Sequence, residues 1–173
     1  MKRVYFLLSG ILMFSFLSQA QEEDPISDEE LKKYALVMDF ADVEKKKLQD
    51  SYNELIQSHE LMDGGKRFVE IKEAKGDEAK MEELAITEEE LAAYEEIEAK
   101  NEENIATFKE AYTAKIKDKE VLGAGIYNSV RKALKSDEEL KTRYEAIITE
   151  IQEERTALAE EIESETQEVE GGN

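Results

Sequence analysis

ISDEELKKYALVMDFADVEKKKLQDSYNELI (Ile26–Ile56) returns, diverged but without a gap, 60 residues later as ITEEELAAYEEIEAKNEENIATFKEAYTAKI (Ile86–Ile116). Seven of the 31 pairs are identical: Ile26/Ile86, Glu29/Glu89, Glu30/Glu90, Leu31/Leu91, Tyr34/Tyr94, Tyr52/Tyr112 and Ile56/Ile116. Val37/Ile97 and Leu48/Phe108 are conservative pairs, and the same slide then matches Gly65/Gly125, Lys72/Lys132 and Asp77-Glu78/Asp137-Glu138. A repeat of this length is one supersecondary unit, and the matches fall in order on helix starts, apolar positions and a loop glycine. Glu-rich helices also produce chance matches, so two unrelated amphipathic helices of similar composition are the alternative.

Each copy opens on a capping box, Ser27-Asp-Glu-Glu30 or Thr87-Glu-Glu-Glu90. There the hydroxyl accepts the N3 amide and the Glu reaches back to the cap. Behind the first cap, Leu31, Tyr34, Met38, Ala41, Leu48, Tyr52 and Leu55 keep 3–4 spacing, interrupted by Lys45. In the second copy Leu91, Tyr94, Ile97, Ile105, Phe108, Tyr112 and Ile116 do the same, interrupted by Asn101. Both predict amphipathic helices of about 30 residues. Each then meets a glycine break, Asp63-Gly64-Gly65 or Gly123-Ala124-Gly125, and a short helical piece, Arg67–Lys75 or Ile126–Lys135. A brief helix over Asp77–Ala85 ends the first copy. A long one ends the second, opening on a third box at Ser136-Asp-Glu-Glu139, with Leu140, Tyr144, Ile147, Ile151, Leu158 and Ile162 as its apolar face. Nothing alternates with period two, so the fold class is all-α: a helical bundle of long amphipathic helices built from a tandem-duplicated helical unit.

The ends are of a different kind. Lys2 and Arg3 precede an apolar run, Val4–Leu17, and Ser18-Gln19-Ala20 meets Gln21. A basic start, a run too short to span a bilayer and small residues at −3 and −1 describe a signal peptide cleaved between Ala20 and Gln21; an uncleaved anchor is the alternative. The organisation is therefore 1–20 signal peptide, 21–25 polar leader, 26–85 first repeat, 86–162 second repeat sharing one bundle with the first, and 163–173 a disordered acidic tail. The mature chain would be exported, periplasmic or secreted, with no membrane insertion after cleavage.

Composition narrows the chemistry. The 173 residues include no Cys, no Trp, one Pro and one His, with 43 acidic against 23 basic side chains. Without Cys there are no disulfides, thiolate metal sites or Cys nucleophiles, and one His excludes a His triad. Removing the leader leaves 21 basic residues and a net charge of −22, a field that repels nucleic acids and anionic lipids. Cationic partners, basic or unfolded segments of other envelope proteins and weakly held divalent cations remain compatible with it.

The order of a secretory leader, then I-S-D-E-E-L-x-x-Y-A at Ile26–Ala35, then Ile126-Tyr127-Asn128-x-Val130-x-x-Ala133 and Ser136-Asp-Glu-Glu-Leu140 resembles the uncharacterised secreted helical family known as domain of unknown function 4168. The resemblance covers Ile26 to about Thr149. The chain departs from the pattern in being Glu-rich where that family favours Gln, and in a blurred closing signature in its first copy. The resemblance implies an all-α exported bacterial protein and supplies no activity and no site residues.

No constellation points to catalysis. Glu88-Glu89-Glu90, Glu95-Glu96, Glu102-Glu103 and Glu160-Glu161 read as solvated helix faces, and no D-x-[DN]-x-[DN]-G calcium loop occurs. His59 reads as an exposed residue at a helix C-terminus. Gly64-Gly65-Lys66 lacks the remaining residues of a P-loop. Lys45-Lys46-Lys47 reads as a solvated basic run. Tyr34, Tyr52, Tyr94, Tyr112 and Tyr127 recur at helical spacing; core packing is the ordinary use of such a set, and they are also the residues an interaction face would use. The reading is a non-catalytic interaction or chaperone-like module of the bacterial cell envelope, without cofactor or metal site. The alternative is an acidic cation-binding or stress-buffering envelope protein. Self-association stays open, because Lys45 and Asn101 could set the register of a coiled-coil contact.

Overall fold

The computed structural model describes residues 25–170, with side chains as far as Ile162, so the leader and its cleavage site lie outside the described residues. Six α-helices follow in order: α1 (Asp28–Ser58), α2 (Lys66–Ala74), α3 (Glu78–Glu83), α4 (Glu88–Lys117), α5 (Ala124–Ala133) and α6 (Glu138–Glu170). A 3-10 turn over Glu60–Gly65 joins α1 to α2, and the described residues contain no strand. The fold is all-α.

Both expected boxes cap their helices. The Ser27 hydroxyl accepts the Glu30 amide at 3.2 Å and the Glu30 carboxylate accepts the Ser27 amide at 3.0 Å. Thr87 and Glu90 repeat the pair at 3.1 and 2.8 Å. Ser27→Ala and Thr87→Ala are each expected to cost about 1 kcal/mol, read by thermal or urea unfolding. The third box is corrected: α6 starts at Glu138, and Asp137, not Ser136, accepts the Leu140 amide, at 2.9 Å. Asp77 caps α3 in the same way, accepting the Lys80 amide at 3.2 Å, so the twin of this cap is an aspartate.

α1 and α4 run antiparallel. The Tyr112 hydroxyl lies 3.8 Å from the Met38 sulfur at one end, and the Tyr52 hydroxyl donates to Glu98 at the other. The start of each long helix therefore meets the end of its twin, and two cores form. One joins Leu31, Tyr34 and Val37 at the start of α1 to Leu122, Val130 of α5 and Leu140 of α6, with Tyr112 and Ile116 from the end of α4. The other joins Ala93, Tyr94 and Ile97 at the start of α4 to Met62, and to Phe68 and Ile71 of α2, with Tyr52 and Ile56 from the end of α1. Each core is thus made from both copies.

The 60-residue correspondence holds along the long helices and through Met62/Leu122, then slips. In the short helices Phe68, Ile71 and Ala74 match Tyr127, Val130 and Ala133, one residue short of the original offset. The connection before α5 is one residue shorter, and the register returns at Asp77/Asp137. The sequence match Gly65/Gly125 is therefore not structural. Gly65 and Gly123 are the residues before the short helices, with φ of 102° and 84°, whereas Gly125 lies inside α5. A Cβ at Gly65 would also sit 3.3 Å from the Ile56 side chain. Gly65→Ala is expected to cost more than about 1 kcal/mol, and Gly125→Ala to be neutral or stabilising by up to about 1 kcal/mol, on comparison of urea midpoints.

The copies differ most in their last helix. α6 lies along α1 and parallel to it: Arg143 pairs with Asp28 and the Ile26 carbonyl, Tyr144 meets the Tyr34 ring, and Arg155 reaches the buried Asp39 at 3.1 Å. Its counterpart α3 has six residues, because the chain must turn back at once to begin α4. The strip of α4 equivalent to the seat of α6 is consequently bare. Buried Ala35 and Asp39 of α1 correspond to exposed Glu95 and Ala99 of α4, so much of the acidity of α4 falls where no helix covers it.

Two expectations about α6 are overturned. It continues as helix to Glu170 where a disordered tail was expected from Glu163, since no glycine or proline interrupts the run before Gly171. Beyond Ile151 its side chains are exposed as far as Ile162, so Leu158 and Ile162 are 58% and 56% exposed instead of buried.

Candidate functional site

The five tyrosines do not make one face. Tyr34 and Tyr94 are buried, one in each core. Tyr34 lies 5.8 Å from the rings of both Tyr127 and Tyr144; Tyr94 lies 4.7 Å from Phe68, and the Lys75 ammonium lies over its ring, 4.9 Å from the centroid. Tyr52, Tyr112 and Tyr127 are half-buried, and the Tyr112 and Tyr127 hydroxyls approach to 3.4 Å. Burial raises the phenols of Tyr34, Tyr52, Tyr94 and Tyr112, and that of Tyr144 to about 12. The Glu98 carboxylate adds to the shift at Tyr52. Neutral phenols result, and two of them use the proton, Tyr52 donating to Glu98 and Tyr112 reaching the Met38 sulfur and the Tyr127 hydroxyl.

Among the described residues the carboxylates with displaced acidity are pulled down by donors. Glu30 is lowered by its hydrogen bonds from Ser27, Glu103 by Lys100, and Glu90 to about 2 by Arg67 and then Thr87. Arg67 is the structural residue that sequence reading missed. Its guanidinium forks onto Glu90 at 2.6 and 2.9 Å, and also reaches Glu70 and the carbonyls of Leu84 and Ala85. It fastens the α3–α4 link to α2, as Arg143 fastens the start of α1 to α6. His59 is not an idle exposed residue either: its Nδ1 accepts the Leu61 amide at 3.3 Å and caps the 3-10 turn. Among the described residues no group of three or more His, Asp or Glu is placed to hold a metal ion.

Among the described residues two apolar surfaces stand out. The first is the distal part of α6, where Leu158 and Ile162 lie one turn apart among Glu153, Glu154, Glu160 and Glu161. The second is a groove along one face of the α1–α4 pair. Its centre is a hollow of about 300 Å³ floored by Phe40, Leu48, Phe108 and Ala111 and walled by Glu44, Lys47, Ser51, Asn104 and Thr107. It is followed by a hollow of about 610 Å³ between Leu55 and Ser58 of α1, with His59 just beyond them, and Glu96, Ile97, Ala99, Lys100 and Glu103 of α4. Helical spacing puts both on one face, through Leu48, Ser51, Leu55 and Ser58 on one side and Ile97, Lys100, Asn104 and Ala111 on the other. Phe40 was missed because it lies off the main stripe. Leu36, Phe40 and Val43, a second ladder at 3–4 spacing, were the available sign.

None of the described helices is long and apolar enough to cross a membrane. Comparison with protein families, with curated proteins and with solved structures finds none that matches the chain, so the resemblance to the secreted helical family is carried by the motifs at Ile26–Ala35 and Tyr127–Leu140 alone.

Proposed function

We propose that this chain is an exported, non-catalytic helical protein of the bacterial cell envelope that holds basic or unfolded segments of other proteins on an acidic helical surface. Export is supported by Lys2-Arg3, the apolar run Val4–Leu17 and the small residues Ser18 and Ala20. The observation that carries the binding reading is distal α6. A helix that leaves its bundle with Leu158 and Ile162 exposed, and with glutamates on both sides of them, offers apolar anchors inside a negative field. A segment alternating Lys or Arg with aliphatic residues complements that surface in both respects.

The test is a pull-down from a native envelope fraction with the tagged chain from Gln21, beside Leu158→Ser/Ile162→Ser, in low salt and at about 150 mM salt, where exposed charges are largely screened. The proposal expects partners with basic segments on the wild type, fewer at the higher salt and few on the double variant. Equal recovery by the double variant, or an empty pull-down, would sink it.

A further inference from the structure

The groove between α1 and α4 has a symmetry that no contact among the described residues uses. Two antiparallel helices that are copies of one another are related by a two-fold axis perpendicular to their common plane. With Met38 near Tyr112 and Tyr52 bonded to Glu98, that axis passes between residues 45 and 105. It emerges through the central hollow, whose lining pairs Glu44 with Asn104, Lys47 with Thr107, Leu48 with Phe108 and Ser51 with Ala111, leaving only Phe40 without its counterpart there. Such a face presents equivalent positions in both directions along the pair. A second copy laid over it about a further two-fold axis can set Leu48 and Phe108 among their counterparts, the self-complementarity that isologous contacts need.

Charge selects this face over the rest of the surface. The chain carries a net −20, so two copies repel almost wherever they meet. Along the groove Glu44, Glu96 and Glu103 are balanced by Lys47, Lys100 and Lys115. Lys47 and Lys100 are already tied to Glu44 and Glu103 at 2.8 and 2.6 Å, and the Lys115 ammonium covers the Phe40 ring. The lining of the two hollows by itself carries a net −1, which Lys115 offsets, while Asp50 and Glu54 line the adjoining hollow. The extent of the face is also adequate. From Leu36, 48% exposed, to His59 the groove runs about 35 Å at 1.5 Å per residue. Two helices make it about 20 Å wide, giving on the order of 700 Å² against roughly 800 Å² per partner in a stable interface. A foreign amphipathic helix would cover one row of side chains, whereas a second α1–α4 pair covers both.

We propose that two copies of the chain pair face to face over the α1–α4 groove, forming a four-helix bundle centred on Leu48 and Phe108. The proposal is independent of the reading of distal α6.

Sedimentation of the chain from Gln21 tests it; every described core residue lies beyond that point. The expected result is a two-copy mass at about 100 µM that falls toward one copy on dilution. Ser51→Glu/Ala111→Glu places two charges in the centre of the groove on half-buried and exposed helical positions, and should give a one-copy mass at 100 µM with unchanged helicity and melting. Leu48→Glu should do the same, and Leu158→Ser/Ile162→Ser should keep the two-copy mass. A one-copy wild type up to about 500 µM overturns the proposal and leaves the groove to a foreign helix. A dimer that survives both groove variants overturns it as well, because the copies then meet elsewhere.

Discussion

Met62→Ala and Leu122→Ala should each remove about 3 kcal/mol of stability, and the two losses should register at opposite ends of the molecule. Both side chains are fully buried, and they are counterparts at the 60-residue offset. Truncating a buried long aliphatic chain loses its transfer free energy and leaves a cavity that the rigid helices around it close only in part, for about 2–5 kcal/mol in all. In a chain of this size that is a fall of roughly 6–12 °C in melting temperature. Amide exchange should localise the damage: Met62→Ala speeds exchange in α2 and the start of α4, Leu122→Ala in α5 and the starts of α1 and α6. Because the cores share no buried residue, the double variant should be additive within about 0.5 kcal/mol. A coupling above about 1 kcal/mol would show one continuous core.

Glu90→Gln should cost about 2 kcal/mol at pH 7, and the cost should fade in acid. The carboxylate accepts a charge-assisted fork from Arg67 while also closing the cap of α4. Those donors hold it near 2, below its ordinary 4.5. The sign follows from proton binding. Between these two values the unfolded chain carries the proton and the folded chain does not, so stability rises with pH there. The contribution is complete above about pH 4.5 and lost as pH falls toward 2. The wild-type and Glu90→Gln curves should therefore stand apart at pH 7, converge below pH 4.5 and meet near pH 2. Comparing the two proteins cancels the gain both make when neutralised surface carboxylates stop repelling one another. Curves that stay parallel down to pH 2 would mean that the ionised fork stabilises nothing.

What the sequence revealed was what is local. Ser27 and Thr87 announce their helices because a capping box needs only four consecutive residues, and the stripes behind them fix which faces are buried. Partner choice across the molecule was not legible. Tyr34 and Tyr94 look alike at the 60-residue offset, and nothing in the repeat says that each packs with the far end of the other copy. The one-residue slip at α2 and α5 escaped for a similar reason: Lys72 falls on Lys132 or on Arg131 with nearly the same chemistry, and only the packing of Ile71 and Val130 decides. Arg67 gave no warning, since its partners lie 3, 17, 18 and 23 residues away. The groove was half visible: Phe108 belongs to the stripe, but Phe40 gains meaning only once α1 and α4 lie side by side.

The exchange of ends between the two long helices also sets a timetable. A chain delivered N-terminus first, from a ribosome or through a membrane channel, has no core to close while only residues up to 85 have emerged, since Met62, Phe68 and Ile71 wait for Tyr94 and Ile97. The opposite core waits longer, until Leu140 has cleared the exit. The end of α1 and α2 can therefore pack once Ile97 is out, whereas the start of α1, synthesised first, is the last part of the first half to find its core. Cutting between Ala85 and Ile86 should yield two fragments that are unstructured apart and fold when mixed.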